Sequence, residues 1–395
     1  MHVLEIANKW LATYAEDVID WRRDLHRHPE IAYNEHRTTE LILATLRGFG
    51  LSPRRLAVGT GAVCDVGDGP AFTALRADID ALPLPDHKIV PYASQIPGVC
   101  HACGHDAHTA ILLAVAGVLA ESRAQGRLDG SVRLIFQPAE ERMPGGAMAV
   151  VEEGALAGVE RIFALHCDPK LDAGRVGLRV GAITAAFDQV ELRLTGAGGH
   201  TARPHLTADL VYVLGQLITE LPGLLSRRVD PRSALSLVWG SVTAGSVANA
   251  IPQSGSLRGT LRMLDGHLWE NLQPLVTELA QQIVAPSGAH VEVRYERGVP
   301  AVDNDGDLVA VQTAAALAAL GAHGVTDTTQ SMGGEDFAWY LRTVPGSMAR
   351  LGVRVPGSPG GDLHQSAFDI DESALAVGVR FTAAILDELW TAPTT

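Results

Sequence analysis

The sequence has 395 residues, more than one hydrophobic core ordinarily organises, and this length predicts two domains. Its composition, 47% hydrophobic and 19% charged, is that of a globular protein, and its net charge of −14 argues against nucleic acid or an anionic membrane as a main partner. No apolar stretch approaches the roughly 20 residues of a membrane span, the acidic N-terminus is unlike a signal peptide, and the four cysteines are too few for a disulfide framework. We therefore expect a cytoplasmic protein.

Helical and strand patterns alternate along the first half of the chain. The patterns predict helices over residues 4–24 and 35–50, strands over 61–67 and 71–79, a helix over 107–126, a strand over 130–138, a helix over 147–156 and a strand over 161–167. Alternation of this kind predicts α/β layers with a largely parallel sheet.

The pattern changes near residue 187. A strand over 189–198, a helix over 207–227, strands over 234–245 and 254–264, a helix over 267–286 and a strand over 290–298 give the β-α-β-β-α-β order of a ferredoxin-like unit. A helical pattern resumes over 305–320. We therefore predict a larger domain formed by residues 1–186 and 299–395, with a ferredoxin-like domain of residues 187–298 inserted into it.

The densest group of reactive side chains lies in the sequence CHACGHDAH, which runs from Cys100 to His108. Thiolate and imidazole are the ligands that a borderline-soft divalent metal prefers. Cys103 and His105, separated by one residue, can point the same way from the loop that leads into the next helix. Two alternatives stay open: Cys100 and Cys103 form a redox pair, or they form half of a structural zinc site, although no second C-x-x-C or spaced His pair completes one.

Four further candidates follow predicted strands or lie in loops. Glu140 and Glu141 come after an apolar strand that a proline ends, so a turn there can direct both carboxylates inward, one to bind metal and one to act as a base. His166 ends a second buried strand, and His364 lies in a Gly-rich loop. Taken singly, a solvated or core role explains each of them. Together with the thiolate and imidazole above, they supply about the number of donors that two metals sharing a bridging ligand require.

The predicted insert carries polar groups of its own. His200 lies in a Gly-rich strand exit, Asn249 in the sequence VANAIP, and Arg262 at the end of a strand. Arginine is well suited to bind a carboxylate because its guanidinium offers two parallel donors. A surface or turn role remains the alternative for each of the three.

These residues lie in motifs that resemble one family almost from end to end of the chain. The sequence is similar to the hippurate hydrolase, aminoacylase and auxin-conjugate amidohydrolase branch of the di-metal peptidases. In combination the motifs are specific: RRDLHRHPEIAYNE, LRADIDALP, HACGHDAHT, FQPAEE, LHCDP, GGHTARPH, NAIPQSGSLRGTLR, GGEDF and LHQSAFDIDE.

The resemblance implies a metal-dependent amidohydrolase with a di-metal peptidase-like catalytic domain. Such an enzyme cleaves the amide bond of a small N-acyl amino acid, hippurate-like or similar, by a metal-activated water. The implied cofactors are two divalent ions, of zinc, manganese, cobalt or nickel. The implied ligands are Cys103, as a bridging thiolate, and His105, Glu141, His166 and His364.

The resemblance also assigns roles outside the ligand set. It implies Glu140 as the general base and Asp80 as a carboxylate that orients a ligand. His200, Asn249 and Arg262 would contact substrate from the inserted domain, which would act as a lid and as the contact of a homodimer, with His200 reaching the partner subunit's site.

The sequence departs from the family at two thiols and leaves two other function classes open. The family usually has Met at the position of Cys100 and commonly Val at that of Cys167, and these changes bear on metal preference and oxidation while leaving the donors intact. A dipeptidase or carboxypeptidase with the same site is one alternative. A non-catalytic metal- or ligand-binding protein is the other, and Glu140 beside Glu141 argues against it because storage needs no base.

Overall fold

The computed structural model describes residues 2–70 and 72–391. Ala71, the first residue of one predicted strand, and the outermost residues of the predicted larger domain at both chain ends lie outside the described residues. The helices, numbered in chain order, are α1 (Val3–Arg27), α2 (His36–Gly48), α3 (His105–Ala124), α4 (Ala147–Glu152), α5 (Leu210–Arg228), α6 (Gly266–Val284), α7 (Gly306–Leu320) and α8 (Ser373–Thr391).

The strands follow the same numbering. They are β1 (Arg54–Arg55), β2 (Ala62–Val66), β3 (Thr73–Asp78), β4 (Val132–Gln137), β5 (Arg161–Asp172), β6 (Val176–Leu178), β7 (Gly181–Ala182), β8 (Ala186–Thr195), β9 (Gly199–His200), β10 (Ser236–Ala244), β11 (Ala250–Ile251), β12 (Ser254–Met263), β13 (His290–Val299), β14 (Asp303–Asn304), β15 (Val325–Asp327) and β16 (Gly346–Arg354).

The chain divides into two compact units. The first consists of the residues up to Ile183, Val302–Thr329 and the residues from Asp336 onward, and the second of Thr184–Ala301 and Gln330–Glu335. The sequence placed the insert at 187–298, so the second unit is a few residues longer at each end. It also takes in residues 330–335, where the amide of Ala185 donates to the carbonyl of Gly333. The sequence did not predict that residues 330–335 belong to this unit, because a loop has no hydrophobic periodicity.

An eight-stranded mixed sheet forms the centre of the first unit, in the order β1-β2-β4-β3-β5-β16-β6-β15. The four central strands β4, β3, β5 and β16 are parallel to one another, whereas β2 pairs with β4, and β6 with β16, in antiparallel fashion. All six residues of β3 are buried, as expected of a strand covered on both faces. The predicted α/β class with a mixed, largely parallel sheet is confirmed.

Helices cover the sheet of the first unit. Helix α3 packs against α1, α8 and β3, and it is buried around most of its circumference, as a helix without a polar face must be. By length and composition alone α3 could cross a membrane, which the sequence analysis did not predict, but 78% of its most apolar window is buried inside the protein. We therefore describe it as a core helix.

The second unit contains the predicted β-α-β-β-α-β order. Its main sheet is antiparallel, in the order β10-β12-β8-β13, and α5 and α6 pack against each other beside it. Along β8 buried and less buried residues alternate, the pattern of a strand with one covered face. Asp209 and Asp265 cap the two helices by accepting hydrogen bonds from backbone amides of the first turn. A short ladder of β9 and β11 completes the unit.

Candidate metal centre

Cys103 and His105 flank a glycine that the local backbone requires. Gly104 has a φ of 88° and precedes α3, and a Cβ at this position would lie 2.7 Å from the sulfur of Cys167. Only glycine tolerates both the left-handed conformation and the close approach. His105 is the first residue of α3, not a loop residue as the sequence predicted, because the helix begins two residues earlier than its apolar pattern.

The two adjacent glutamates follow β4 in a tightly held turn. Ala139 has a left-handed φ of 59°, which turns the chain after the strand. Its amide donates to Oε1 of Glu35 at 2.9 Å, and the amide of Glu141 donates to Oδ2 of Asp80 at 2.9 Å. As the sequence predicted, the strand has ended before Glu140, so alternation along a strand does not separate the two carboxylates.

The two remaining predicted donors come from a strand and a loop. His166 lies inside β5 and not at a strand end as predicted, because β5 continues to Asp172 alongside β16, a strand that the sequence analysis did not identify. His364 has a left-handed φ of 59°, and its amide donates to the carbonyl of Ala102 at 2.8 Å. That bond ties the Gly-rich loop to the segment that carries Cys103.

The structure brings all five predicted donors together. The sulfur of Cys103 lies 3.6 Å from Nε2 of His166, and Nε2 of His364 lies 3.1 Å from Oε1 of Glu141. Two groups of three donors, each within 4.8 Å of one another, share Cys103: one adds His105 and His166, the other Glu141 and His364. Ligands about 2.0–2.3 Å from a tetrahedral metal lie at comparable separations.

Hydrogen bonds fix the ring orientation of two of the histidines. Nδ1 of His105 lies 2.9 Å from the carbonyl of Asp80, and Nδ1 of His166 lies 2.8 Å from the carbonyl of Cys167. A carbonyl only accepts, so each Nδ1 carries a proton, and in the neutral ring each Nε2 presents a lone pair. Nε2 of His105 is buried and makes no hydrogen bond, which is the arrangement of a metal ligand supported by a second group. The residues present therefore fit a metal.

The electrostatics of the centre also favour cations. Although burial opposes it, the carboxylate of Asp78, with that of Asp80, raises the pKa of His105 to about 10. Its hydrogen bond with Glu141 raises the pKa of His364. Burial lowers the pKa of His166 well below its usual range. The carboxylates concentrate negative charge that bound divalent ions would neutralise.

A buried network behind the donors was not predicted. Asp78 accepts from Arg76 at 2.6 Å and pairs with Nδ1 of His108 at 2.6 Å, while Nε2 of His108 accepts from the amide of Cys167 at 2.8 Å. Arg76 continues the network to Asp336 at 2.8 Å. The network thus supports the backbone next to His166. Two signals in the sequence could have indicated it: Asp78 lies two residues before Asp80, and His108 lies three residues after His105 on a helix.

Cys100 lies apart from the donor groups. It is buried, its thiol is 3.9 Å from the carbonyl of Pro85, and burial raises its pKa to about 11. All four cysteines are free thiols, and within residues 2–70 and 72–391 no group of three metal donors includes Cys100. The geometry therefore favours neither the redox pair nor the structural zinc site.

The three predicted substrate-contacting residues belong to the second unit. His200 and Asn249 are brought together there: β9 pairs with β11, and the amide of Thr201 donates to the backbone carbonyl of Asn249 at 3.2 Å. Arg262 lies elsewhere in the unit, with its guanidinium 4.5 Å from the ring centre of Phe187 and hydrogen-bonded to the carbonyl of Met332. Their roles toward substrate stay predictions.

Comparisons with known proteins identify relatives of the whole chain. Residues 74–388 match peptidase family M20/M25/M40. A Bacillus subtilis protein named N-acetyl-L-cysteine deacetylase is 39% identical over 92% of this chain and 86% of its own length. A Rhodococcus jostii protein named putative glutamate–cysteine ligase 2-3 is 49% identical over 93% of this chain, which spans only 46% of that protein. The crystal structure of the Bacillus subtilis YXEP protein, described as a dinuclear metal-binding peptidase from the M20 family, has a TM-score of 0.82 at 33% identity and covers 95% of this chain and 98% of its own.

Proposed function

This chain belongs to peptidase family M20/M25/M40, and we propose that it hydrolyses the amide bond of N-acyl amino acids with the help of two divalent metal ions. The family and its relatives make it a metal-dependent amidohydrolase, as the sequence predicted. The observation that carries the proposal is the pair of donor groups that share Cys103, with a further carboxylate, Glu140, within 4.8 Å of donors on His105 and Glu141.

The proposal assigns the metal ligands as Cys103, His105, Glu141, His166 and His364. When bound, two such ions supply Lewis acidity toward the amide carbonyl and toward a nucleophilic water. The candidate ions are zinc, manganese, cobalt and nickel, and metal analysis of the purified protein distinguishes them. Asp80 supports this set in two ways, because its backbone carbonyl accepts from His105 and its carboxylate accepts from the amide of Glu141.

Glu140 acts as the general base in this proposal. An amide resists hydrolysis because its carbonyl is a poor electrophile and its amine a poor leaving group. The Glu140 carboxylate accepts a proton from the attacking water and then passes it to the departing nitrogen, a role that contributes about 10²–10⁴-fold to the rate. Glu140 belongs to neither of the two donor groups that share Cys103, and its carboxylate lies within 4.8 Å of donor atoms on His105 and Glu141.

The second unit supplies substrate recognition and closure. We assign donation to the developing oxyanion to His200, which lies in β9, and to Asn249, which directly precedes the paired strand β11. Arg262 binds the carboxylate of the amino acid product. Its partial burial, which lowers the pKa of this guanidinium, is compatible with a strong charge-assisted pair. Closure of the unit as a lid excludes bulk water from the reaction.

A homodimer through the second unit completes the proposal. Strand β10 is an edge of the four-stranded sheet, and Val238 and Val242 on it are exposed. Unpaired edge strands with apolar side chains pair readily with a second copy, and two-fold pairing is the most frequent route to a dimer. In such a dimer His200 serves the site of the partner subunit.

The substrate class agrees with the name of one relative, N-acetyl-L-cysteine deacetylase, which shares 39% identity. The test is a panel of N-acetyl, N-benzoyl and N-indoleacetyl amino acids against dipeptides, assayed by release of the free amine from metal-loaded protein. We expect the highest kcat/KM on an N-acyl amino acid. Turnover confined to dipeptides would replace the proposal by a dipeptidase that uses the same site.

Two matched variants test the roles of the adjacent glutamates. Glu140→Gln should keep the fold and both metals but lose turnover, because the amide is nearly isosteric and cannot accept the proton. Glu141→Gln should lower the metal content instead. If metal loss follows Glu140→Gln and not Glu141→Gln, the two roles are reversed.

A further inference from the structure

Glu35 is a buried acidic residue that the proposed reaction leaves without a role. It belongs to the motif RRDLHRHPEIAYNE and directly precedes α2, and its side chain is fully shielded from solvent. A side-chain oxygen in that position can cap the helix by accepting a hydrogen bond from an amide of the first turn. Glu35 makes no such bond. Its Oε1 instead accepts from the amide of Ala139, which lies more than a hundred residues away in the chain.

Ala139, whose amide Glu35 binds, turns the chain directly before the proposed base Glu140. Ala139 has a left-handed φ of 59°, a conformation that is unfavourable for a non-glycine residue and persists only where neighbouring contacts enforce it. The carbonyl of Ala139 accepts from the amide of Gly146 at 2.9 Å. Hydrogen bonds therefore hold both the amide and the carbonyl of this residue.

Glu35 is itself held firmly against that loop. Its backbone carbonyl accepts from the amide and the hydroxyl of Thr39 at 2.9 and 2.6 Å, and that hydroxyl accepts from the amide of Gly61 at 2.8 Å. Gly61 packs so closely on the end of β4 that a Cβ there would lie 2.7 Å from the ring of Pro138. The start of α2 and the residue before Ala139 therefore form one packed assembly.

Glu140, the proposed base, lies between two residues whose backbone amides are each hydrogen-bonded to a carboxylate. The amide before it, on Ala139, is bound by Glu35, and the amide after it, on Glu141, is bound by Asp80. We propose that Glu35 is a positioning residue for Glu140, which fixes the backbone conformation that directs this carboxylate toward the reacting water. The inference rests on the proposed role of Glu140 as general base.

The proposed role depends on an acceptor oxygen at a set distance and not on charge. Glutamine retains that oxygen at the same reach, aspartate retains the carboxylate but is shorter by one methylene, and alanine removes the acceptor. The three variants at position 35 therefore separate geometry from charge. Glu40 is a matched control, because it lies five residues further along, on α2, but is exposed and pairs with Arg55 at the surface.

The experiment measures kcat, KM, metal content and hydrogen exchange of the segment around Ala139 for each variant. We expect Glu35→Ala and Glu35→Asp to lower kcat about 10–100-fold, a partial loss of the about 10²–10⁴-fold that general-base catalysis contributes, with two metals bound and KM little changed. Hydrogen exchange of the segment around Ala139 should become faster in both variants. Glu35→Gln should retain most of the wild-type kcat and slow exchange, and Glu40→Ala should match wild type throughout.

Distinct results would overturn this inference and the proposed function. If Glu140→Gln abolishes turnover while Glu35→Ala and Glu35→Asp keep the wild-type kcat, Glu35 does not position the base. Loss of metal together with kcat in the folded Glu35→Asp protein would assign Glu35 to the metal centre and also refute the positioning role. Full turnover by Glu140→Gln would instead remove the base assignment itself, whatever the variants of Glu35 do.

Discussion

Replacing Cys103 by alanine removes the donor that two groups of three share, and it leaves each group with two protein ligands. A ligand present at 100 times its Kd stabilises the folded state by about 2.7 kcal/mol. With about 2–4 °C per kcal/mol for a large domain, each of the two ions should raise the melting temperature of the wild type by roughly 5–10 °C. The variant should lose most of this rise, because a thiolate shared by both ions affects both sites.

Cys64→Ala is the matched control for this change. Cys64 is also a buried free thiol, but it lies in β2 and belongs to no group of three donors among the described residues. Both variants remove one buried sulfur, so both should melt at similar temperatures in chelator. Only Cys103→Ala should fail to respond when metal is restored. Equal metal content and an equal metal-dependent rise in the two variants would refute the bridging role.

Three further predictions concern residues around this centre. Cys100→Met should keep activity and metal content, because no donor group found among residues 2–70 and 72–391 includes this thiol, and loss of both would show that it takes part in the site. Burial raises the pKa of Glu35 to about 7, so the unfolded chain ionises it more readily and the folded state loses stability as pH rises from 4.5 to 7. Relative to wild type, the unfolding free energy of metal-free Glu35→Gln should therefore increase by about 3 kcal/mol between pH 4.5 and pH 7. A difference between the two proteins that does not change with pH would contradict this. Co-expressed His200→Ala and Glu140→Gln subunits should form heterodimers with up to half the wild-type activity, whereas no recovery in isolated heterodimers would place His200 in its own subunit's site.

The sequence was informative about the donors because their chemistry and their positions agree. Thiol, imidazole and carboxylate groups follow apolar strands or precede an apolar helix, and parallel strands bring such positions to one edge of a sheet. Cys103, His105 and the pair Glu140 and Glu141 could therefore be proposed from residue type and spacing, whereas the family resemblance chose Glu141 of the pair as the ligand. His364 lies in a loop without periodicity and was a weak candidate when taken singly, until the structure placed it 3.1 Å from Glu141.

The supporting residues were much harder to foresee. Glu35 reaches Ala139, and Arg76 reaches Asp336, through contacts that join distant parts of the chain. Pairings of this kind leave no periodic signal, since each partner alone resembles an ordinary polar residue near a turn. The interior position of His166 was missed for a related reason, because the length of β5 is set by its pairing with β16 and not by its own apolar pattern.

Metal titration of chelator-treated protein tests the central claim most directly. Titration with zinc, manganese, cobalt or nickel, followed by calorimetry and by hydrolysis of an N-acetyl amino acid, should give two ions per chain, with full turnover restored only when both are bound. Glu140→Gln should bind the same two ions and remain inactive. Turnover by the metal-free protein, or full activity with a single ion per chain, would contradict a two-metal amidohydrolase.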